Sequence, residues 1–336
     1  MTTGTTTYEQ SHDAGPAREH RPPDRRRTGV LRRLVVAALV MLLVVGGIAA
    51  LSIEGSRRNE STTRAATPDA TTATAARTDA RADARAFLQR YEASNGRVVR
   101  RDQGGDTVSE GQGYAMLVAV AIGDRQRFAA AWRWDQTNLQ LPNALFAYHW
   151  SRGRVVSTQS ATDADLDTAW ALVLASQRFH DSLYLAHGLQ VANAILANET
   201  AEVAGALQLV AGPWGRSSPA VVDPSYFSVE AMDSLESVTG DPRWSALAAD
   251  STGLVAADTT SGRTLPSDWV DIQPDGVAQA VGDPGTTAGT PAYGLDAQRV
   301  PVWFAAGCAQ SERAVAAHAW PLLRHSAGQG ARISYS

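Results

Sequence analysis

Three short stretches place carboxylates where a carboxylate can do chemistry. In Ser109-Glu110-Gly111-Gln112-Gly113-Tyr114-Ala115-Met116, Glu110 stands between a Gly/Asp-rich loop (Gly104, Gly105, Asp106) and an apolar run reaching Ile122. Ser109 reads as an N-cap, which puts Glu110 in the first helical turn, where the dipole favours negative charge. Capping alone accounts for both residues. The flank adds more: Gly111 and Gly113 let a partner approach the backbone, and Tyr114 offers an aromatic edge. A half-desolvated carboxyl in such a place holds its proton near neutral pH and can donate it. The second stretch, Ala161 to Ala175, opens an apolar helix with Asp163, Asp165 and Asp167. Dipole compensation explains one or two of these acids. Three so close repel one another, a cost offset if they grip hydroxyls or an Arg. The third runs from Tyr293 to Trp303, with Asp296 before a helix and Arg299 three residues on, spaced for an ion pair.

These acids all fall at expected helix starts, so one mouth of a helical barrel could hold Glu110, Asp163 and Asp296 together. Trp132, Trp134, Tyr148, Trp150, Trp214, Tyr226 and Trp269 lie in loop-like contexts around them. Aromatic faces with carboxylates and no basic cluster suit neutral sugar rings, although single Trp residues also serve as core.

Composition narrows the chemistry. The 336 residues contain no Lys, and all 30 basic residues are Arg, which excludes a P-loop Lys and Schiff-base chemistry. The single Cys, Cys308, excludes an intrachain disulfide and a Cys-based metal cluster, and its apolar surroundings predict a packed thiol. Seven His form no HExxH pattern, and no metal or cofactor is expected. Residues 79–336 carry nineteen Arg against twenty-seven acids, a balance that disfavours nucleic acid as ligand.

Residues 1–33 are Thr-, Pro- and Arg-rich with no apolar period and read as a disordered cytoplasmic segment. Leu34 to Leu51 is an unbroken apolar and Gly run, extended by Ile53. Its length matches the ~20 residues of a membrane-spanning helix. Arg25, Arg26, Arg27, Arg32 and Arg33 precede it, which orients the N-terminus to the cytoplasm and the rest outside. A cleaved signal peptide is the rival reading; the length of the run favours an uncleaved anchor over residues 34–53. Residues 54–78 read as a flexible linker, and folded structure is expected from Asp79 to the end, 79–336. Helical runs are expected at 80–93, 111–122, 124–136, 165–179, 182–197, 226–239, 242–251, 297–309 and 311–324, with a small hairpin strand at 152–157. Paired helices in one domain indicate an all-α barrel.

The Ser109–Met116 stretch resembles the acid-bearing segment of glycoside hydrolase family 8. Five more stretches match it in order: Trp132–Leu139, Ala161–Phe179, Asp223–Phe227, Leu265–Trp269 and Asp296–Pro301. The resemblance implies an (α/α)6 barrel and inverting endo-hydrolysis of β-1,4-glucan. It carries the general acid onto Glu110, the general base onto Asp296 and an active-site carboxylate onto Asp163. Asp165, Tyr114, Trp134, Trp150, Tyr226, Trp269 and Arg299 are expected to bind substrate. Thr168 departs from the usual Ile or Met, and Leu295 stands before the base where Tyr is usual. The apolar run and its Arg flank imply a single-pass membrane protein with an extracellular catalytic domain, and the resemblance makes a cellulose synthase complex a candidate partner. A chitosanase or lichenase of the same family, or a glucan-binding scaffold that lost turnover, are the alternatives.

Overall fold

The computed structural model describes residues 70–285 and 289–328. The apolar run 34–53 and its basic flank lie outside them, and among the described residues no helix is long and apolar enough to cross a membrane. The described part is mainly helical: α1 (Ala70–Tyr91), α2 (Ser109–Ile122), α3 (Arg125–Asn138), α4 (Thr162–Phe179), α5 (Ser182–Asn198), α6 (Val229–Thr239), α7 (Arg243–Asp258), α8 (Val300–Ala306) and α9 (Gln310–Gly328). Helix α1 starts at Ala70, ahead of the expected Asp79. Ala-rich sequence extends a helix readily once Ala80, Ala84, Leu88 and Tyr91 anchor its buried stripe.

The centre of the molecule is α4. Its residues from Thr162 to Val173 are all buried, Asp163, Asp165 and Asp167 among them. It lies between α2 and α5. Gly113 of α2 makes the approach close: a Cβ there would sit 3.2 Å from the Asp167 Cβ. The acid-bearing ends of α2 and α4 are thereby held side by side.

Helix α2 begins differently from the sequence expectation. Ser109 is its first residue and Val108, in extended conformation, occupies the cap position without a side-chain cap. The cause is a strand: β1 (Thr107–Val108) pairs antiparallel with β2 (His149–Ser151), and the Ser109 N–H donates to the Tyr148 carbonyl at 3.0 Å. With that donor satisfied, the Ser109 hydroxyl is free to face Glu110, 3.5 Å from Oε2. Strand β3 (Arg154–Ser157) completes the hairpin, turning at Gly153 as expected.

Two further small sheets occupy stretches that lie outside the helices expected from the sequence. Strands β4 (Thr200–Val203) and β5 (Ala206–Leu209) form a hairpin, and β6 (Ala220–Val222), β7 (Trp269–Ile272) and β8 (Ala278–Val281) form an antiparallel sheet in that order. Strands of three or four residues are too short to show a period against Gly, Pro and Ser. The helix expected over 297–309 divides into a 3₁₀ turn, Ala297–Arg299, followed by α8, and ends at Ala306. Cys308 therefore lies in the α8–α9 connection and is exposed, against the packed thiol expected.

Gln112 joins three segments. Its Oε1 accepts from the Val98 N–H, and its Nε2 donates to the carbonyls of Gly96 and Ala131, each at 3.2 Å. Gln112→Leu strands three buried backbone groups at a cost on the order of 3 kcal/mol, and calorimetry should show Tm falling by roughly 6–12 °C.

Candidate active site

Arg299 gathers the sequence-distant residues. Its Nη1 donates to the Tyr114 hydroxyl and to Asp163 Oδ2, both at 2.8 Å. Its Nη2 donates to Asp296 Oδ1 at 3.1 Å, the i,i+3 ion pair read from the spacing. The guanidinium carbon lies 5.5 Å from the centre of the Tyr226 ring. Residues from α2, α4, the 3₁₀ turn at Ala297 and the turn at Pro224–Tyr226 thus meet on one planar cation, whose fork suits several acceptors at once.

Glu110 is half-buried at the edge of this cluster. Burial first, and then the negative charge of Asp163, push its carboxyl up to about 8; its own backbone N–H and the Arg299 and Arg100 cations pull the other way. At neutral pH Glu110 holds a proton. Burial also raises Asp163, against the pull of Arg299 and the Ala164 N–H, which donates to Asp163 Oδ1 at 2.8 Å. Asp296 differs in setting: its side chain is 42% exposed, against 6% for Asp163. Solvent reaches Asp296. Asp167, one turn beyond Asp163 on α4, is raised well above the carboxylate range by burial and by Asp163.

An aromatic row continues from the cluster. Tyr226 meets Trp269 at 6.4 Å between ring centres, and Trp269 meets Trp214, 38% exposed, at 6.2 Å. Tyr148 lies on the Glu110 side, its phenol raised by burial and by the Glu110 charge. Trp214 and Tyr148 belong to the aromatic set noted in the sequence, but no binding role was assigned to them there.

Three expected binding residues stand elsewhere. Asp165 is wholly buried, and its Oδ1 accepts from the Phe146 N–H at 2.8 Å, so it braces a loop and faces no open surface. Trp134 is buried, edge-on to Trp150 at 5.6 Å. Arg97 covers a face of Trp150 that a sugar would need, 4.0 Å from the ring centre. Trp150 lines a cavity of about 450 Å³ with Arg97, Asp106 and Arg152, and none of the three acids lines it.

Two residues that position the site were given no role in the sequence reading. Asp268 Oδ1 accepts from the N–H groups of Gly294 and Ala297, at 2.9 and 2.8 Å, and so clips the segment bearing Asp296. Gly294 is required there, since a Cβ would fall 2.0 Å from Asp268 Oδ2. Asp223 accepts from the Ser225 N–H at 2.8 Å and caps the turn carrying Tyr226. The signal available was Asp placed just before Trp269 and just before Pro224, both within stretches already singled out.

The model for glycosyl hydrolases family 8 matches residues 64–319, and the chain belongs to that family. A probable endoglucanase of Novacetimonas hansenii is 33% identical over 225 residues, 65% of this chain and 64% of its own length. An endoglucanase of Cellulomonas uda is 29% identical over 224 residues, 65% of this chain and 61% of its own. The chain thus spans less than two thirds of the length of these two relatives. Among solved structures, the endo-β-1,4-glucanase of Acetobacter xylinum matches with a TM-score of 0.62 and 30% identity, covering 67% of this chain and 71% of that one.

Arg299→Met leaves Asp163 buried without a cation. The unpaired acid then takes up a proton in the folded state that the unfolded chain releases, so the stability deficit is smallest below about pH 4 and grows as pH rises. Melting curves from pH 4 to 8 should show the Tm gap between variant and wild type widening.

Proposed function

We propose that this protein is an endo-acting hydrolase of β-1,4-glucan that inverts the anomeric centre, on an (α/α)6 barrel. Glu110 protonates the glycosidic oxygen, and Asp296 draws a proton from the water that attacks the opposite face of the ring. The observation that carries this reading is the contrast between the two acids. Glu110 is half-buried with its proton held at neutral pH, whereas Asp296 is solvent-accessible and tied to Arg299. Carboxyls set in environments as different as these divide acid and base roles. Inversion calls for roughly 6.5–9.5 Å between such groups, room for one water. Asp163, also on Arg299, grips a hydroxyl of the ring being cleaved, and Tyr226, Trp269 and Trp214 supply faces for the chain of sugars. The names of the relatives as endoglucanases favour glucan among neutral polysaccharides.

Leu295 supports a second reading. It stands directly before Asp296 and is 62% exposed, an aliphatic at the mouth of the site. A protein that binds glucan and has lost turnover would tolerate that residue. Release of reducing ends from carboxymethylcellulose separates the two readings; binding without release favours the second. Assays across mixed-linkage glucan and chitosan fix the substrate among relatives of cellulose.

In the same proposal residues 34–53 anchor the protein with its catalytic domain outside the cell, and a cellulose synthase complex is a candidate neighbour. Carbonate extraction of membranes tests the anchor: the full chain should stay in the pellet, and its recovery in the supernatant would overturn the idea.

Glu110→Gln should keep glucan binding and lower turnover by about 10³-fold or more, since it removes the proton donor. Wild-type kcat should fall tenfold per pH unit above about pH 8, as Glu110 loses its proton. Unchanged turnover in the variant would refute the assignment.

A further inference from the structure

The inner side of α4 holds a second group of carboxyls that the proposed reaction does not use. Asp165, Glu199 and Asp135 are each 0% exposed. Asp165 Oδ1 accepts from the Phe146 N–H at 2.8 Å, and Glu199 Oε1 accepts from the Ser160 hydroxyl at 2.6 Å. Among the described residues the other oxygens, Asp165 Oδ2 and Glu199 Oε2, have no hydrogen-bond partner, and the Thr162 hydroxyl beside Glu199 has none either. These two carboxyls lie within hydrogen-bonding reach of each other.

Two ionised carboxylates in contact in a dry interior repel strongly, and each leaves an acceptor unsatisfied. Among the described residues no cation forms an ion pair with either. The other charged groups facing the pair are Asp135 from α3 and Asp163 from the same turn of α4, and Thr162 is the remaining polar neighbour. Among the described residues no group of three acids, His or Cys is arranged to hold a metal ion. One hydrogen between the orphan oxygens satisfies both at once.

We propose that Asp165 and Glu199 share a single proton, forming a clasp that fixes the first turn of α4, and with it Asp163, against the end of α5 and the loop at Phe146. Each partner belongs to a different segment: Asp165 opens α4, and Glu199 follows the last residue of α5. Ser160 and Phe146 bring in the two chain segments that lead to α4 and to β2. Asp165 is therefore a positioning residue, acting through the turn that presents Asp163 to Arg299.

The clasp makes a signed prediction. The folded pair holds a proton that the unfolded chain releases, so its contribution to stability is full below about pH 4 and declines as pH rises toward neutrality. An amide reproduces the clasp without the shared proton, because its NH₂ donates where that proton stood. The experiment compares D165N, E199Q and D165A with wild type by thermal melting from pH 4 to 8, and by infrared difference spectra in the protonated-carboxyl region. Each amide variant should melt within about 3 °C of wild type near neutrality, show a flatter fall of Tm with pH, and lose one protonated-carboxyl band. D165A should melt clearly lower. If either amide melts as low as D165A, or keeps both the wild-type slope and the band, the shared proton is refuted. These readouts do not depend on glucan hydrolysis. Where wild type hydrolyses carboxymethylcellulose, turnover in D165N should exceed that in D165A; equal turnover in the two would refute the positioning role.

Discussion

A guanidinium taken out of water must be met by acceptors, and that requirement organises this molecule. Arg299 is held by Tyr114, Asp163 and Asp296, three residues from three segments. A buried charge is tolerated only when paired and hydrogen-bonded. Each segment is thereby obliged to end where it does: α2 so that Tyr114 reaches inward, α4 so that Asp163 opens its first turn, and the 3₁₀ turn so that Asp296 stays beside the cation. The acids near Arg299 outnumber the cations. One positive charge cannot neutralise Asp163, Asp296 and Glu110 together, and the charge of Asp163 adds to burial in holding the proton on Glu110. The chain contains no Lys. A point-like ammonium could not serve three acceptors from one plane as this fork does.

The same helix carries two answers to burying negative charge. On its outer side Asp163 is offset by Arg299. On its inner side Asp165 has no cation paired with it among the described residues, and its charged neighbours are Glu199 and Asp135. Charge is compensated where the side chain faces the site and suppressed by burial where it faces the interior. Proximity along the chain says little about electrostatic setting: Asp163 and Asp165 are two residues apart and lie ~200° apart around a helix.

That angle explains which parts of the site were legible in sequence. Of the candidate site, Glu110, Asp163 and Asp296 stand out in the sequence because each lies at a helix or turn start, and Tyr114 and Arg299 follow Glu110 and Asp296 within one turn. Asp165 carried the same local signal and was misread, since an Asp in a first turn looks alike whether it faces a cleft or the interior. The helical angle between Asp163 and Asp165 could have separated them. Trp134 and Trp150 were misread for a different reason. What packs on them, Arg97 and each other, comes from contacts between a helix, a strand and a loop that composition does not reveal. The helices themselves were largely visible through long apolar periods, whereas β4 to β8 were too short to show one. Asp268 was missed because its partners, Gly294 and Ala297, lie far along the chain.

Asp268 and Trp269 are adjacent residues with different duties. One grips the backbone on both sides of Asp296, and the other presents an indole in line with Tyr226 and Trp214. A peptide bond and two hydrogen bonds therefore connect the Trp269 indole to the segment bearing Asp296. A ring stacked on that indole would lie at a set distance from the carboxylate, a spacing fixed by the fold like the marks on a ruler.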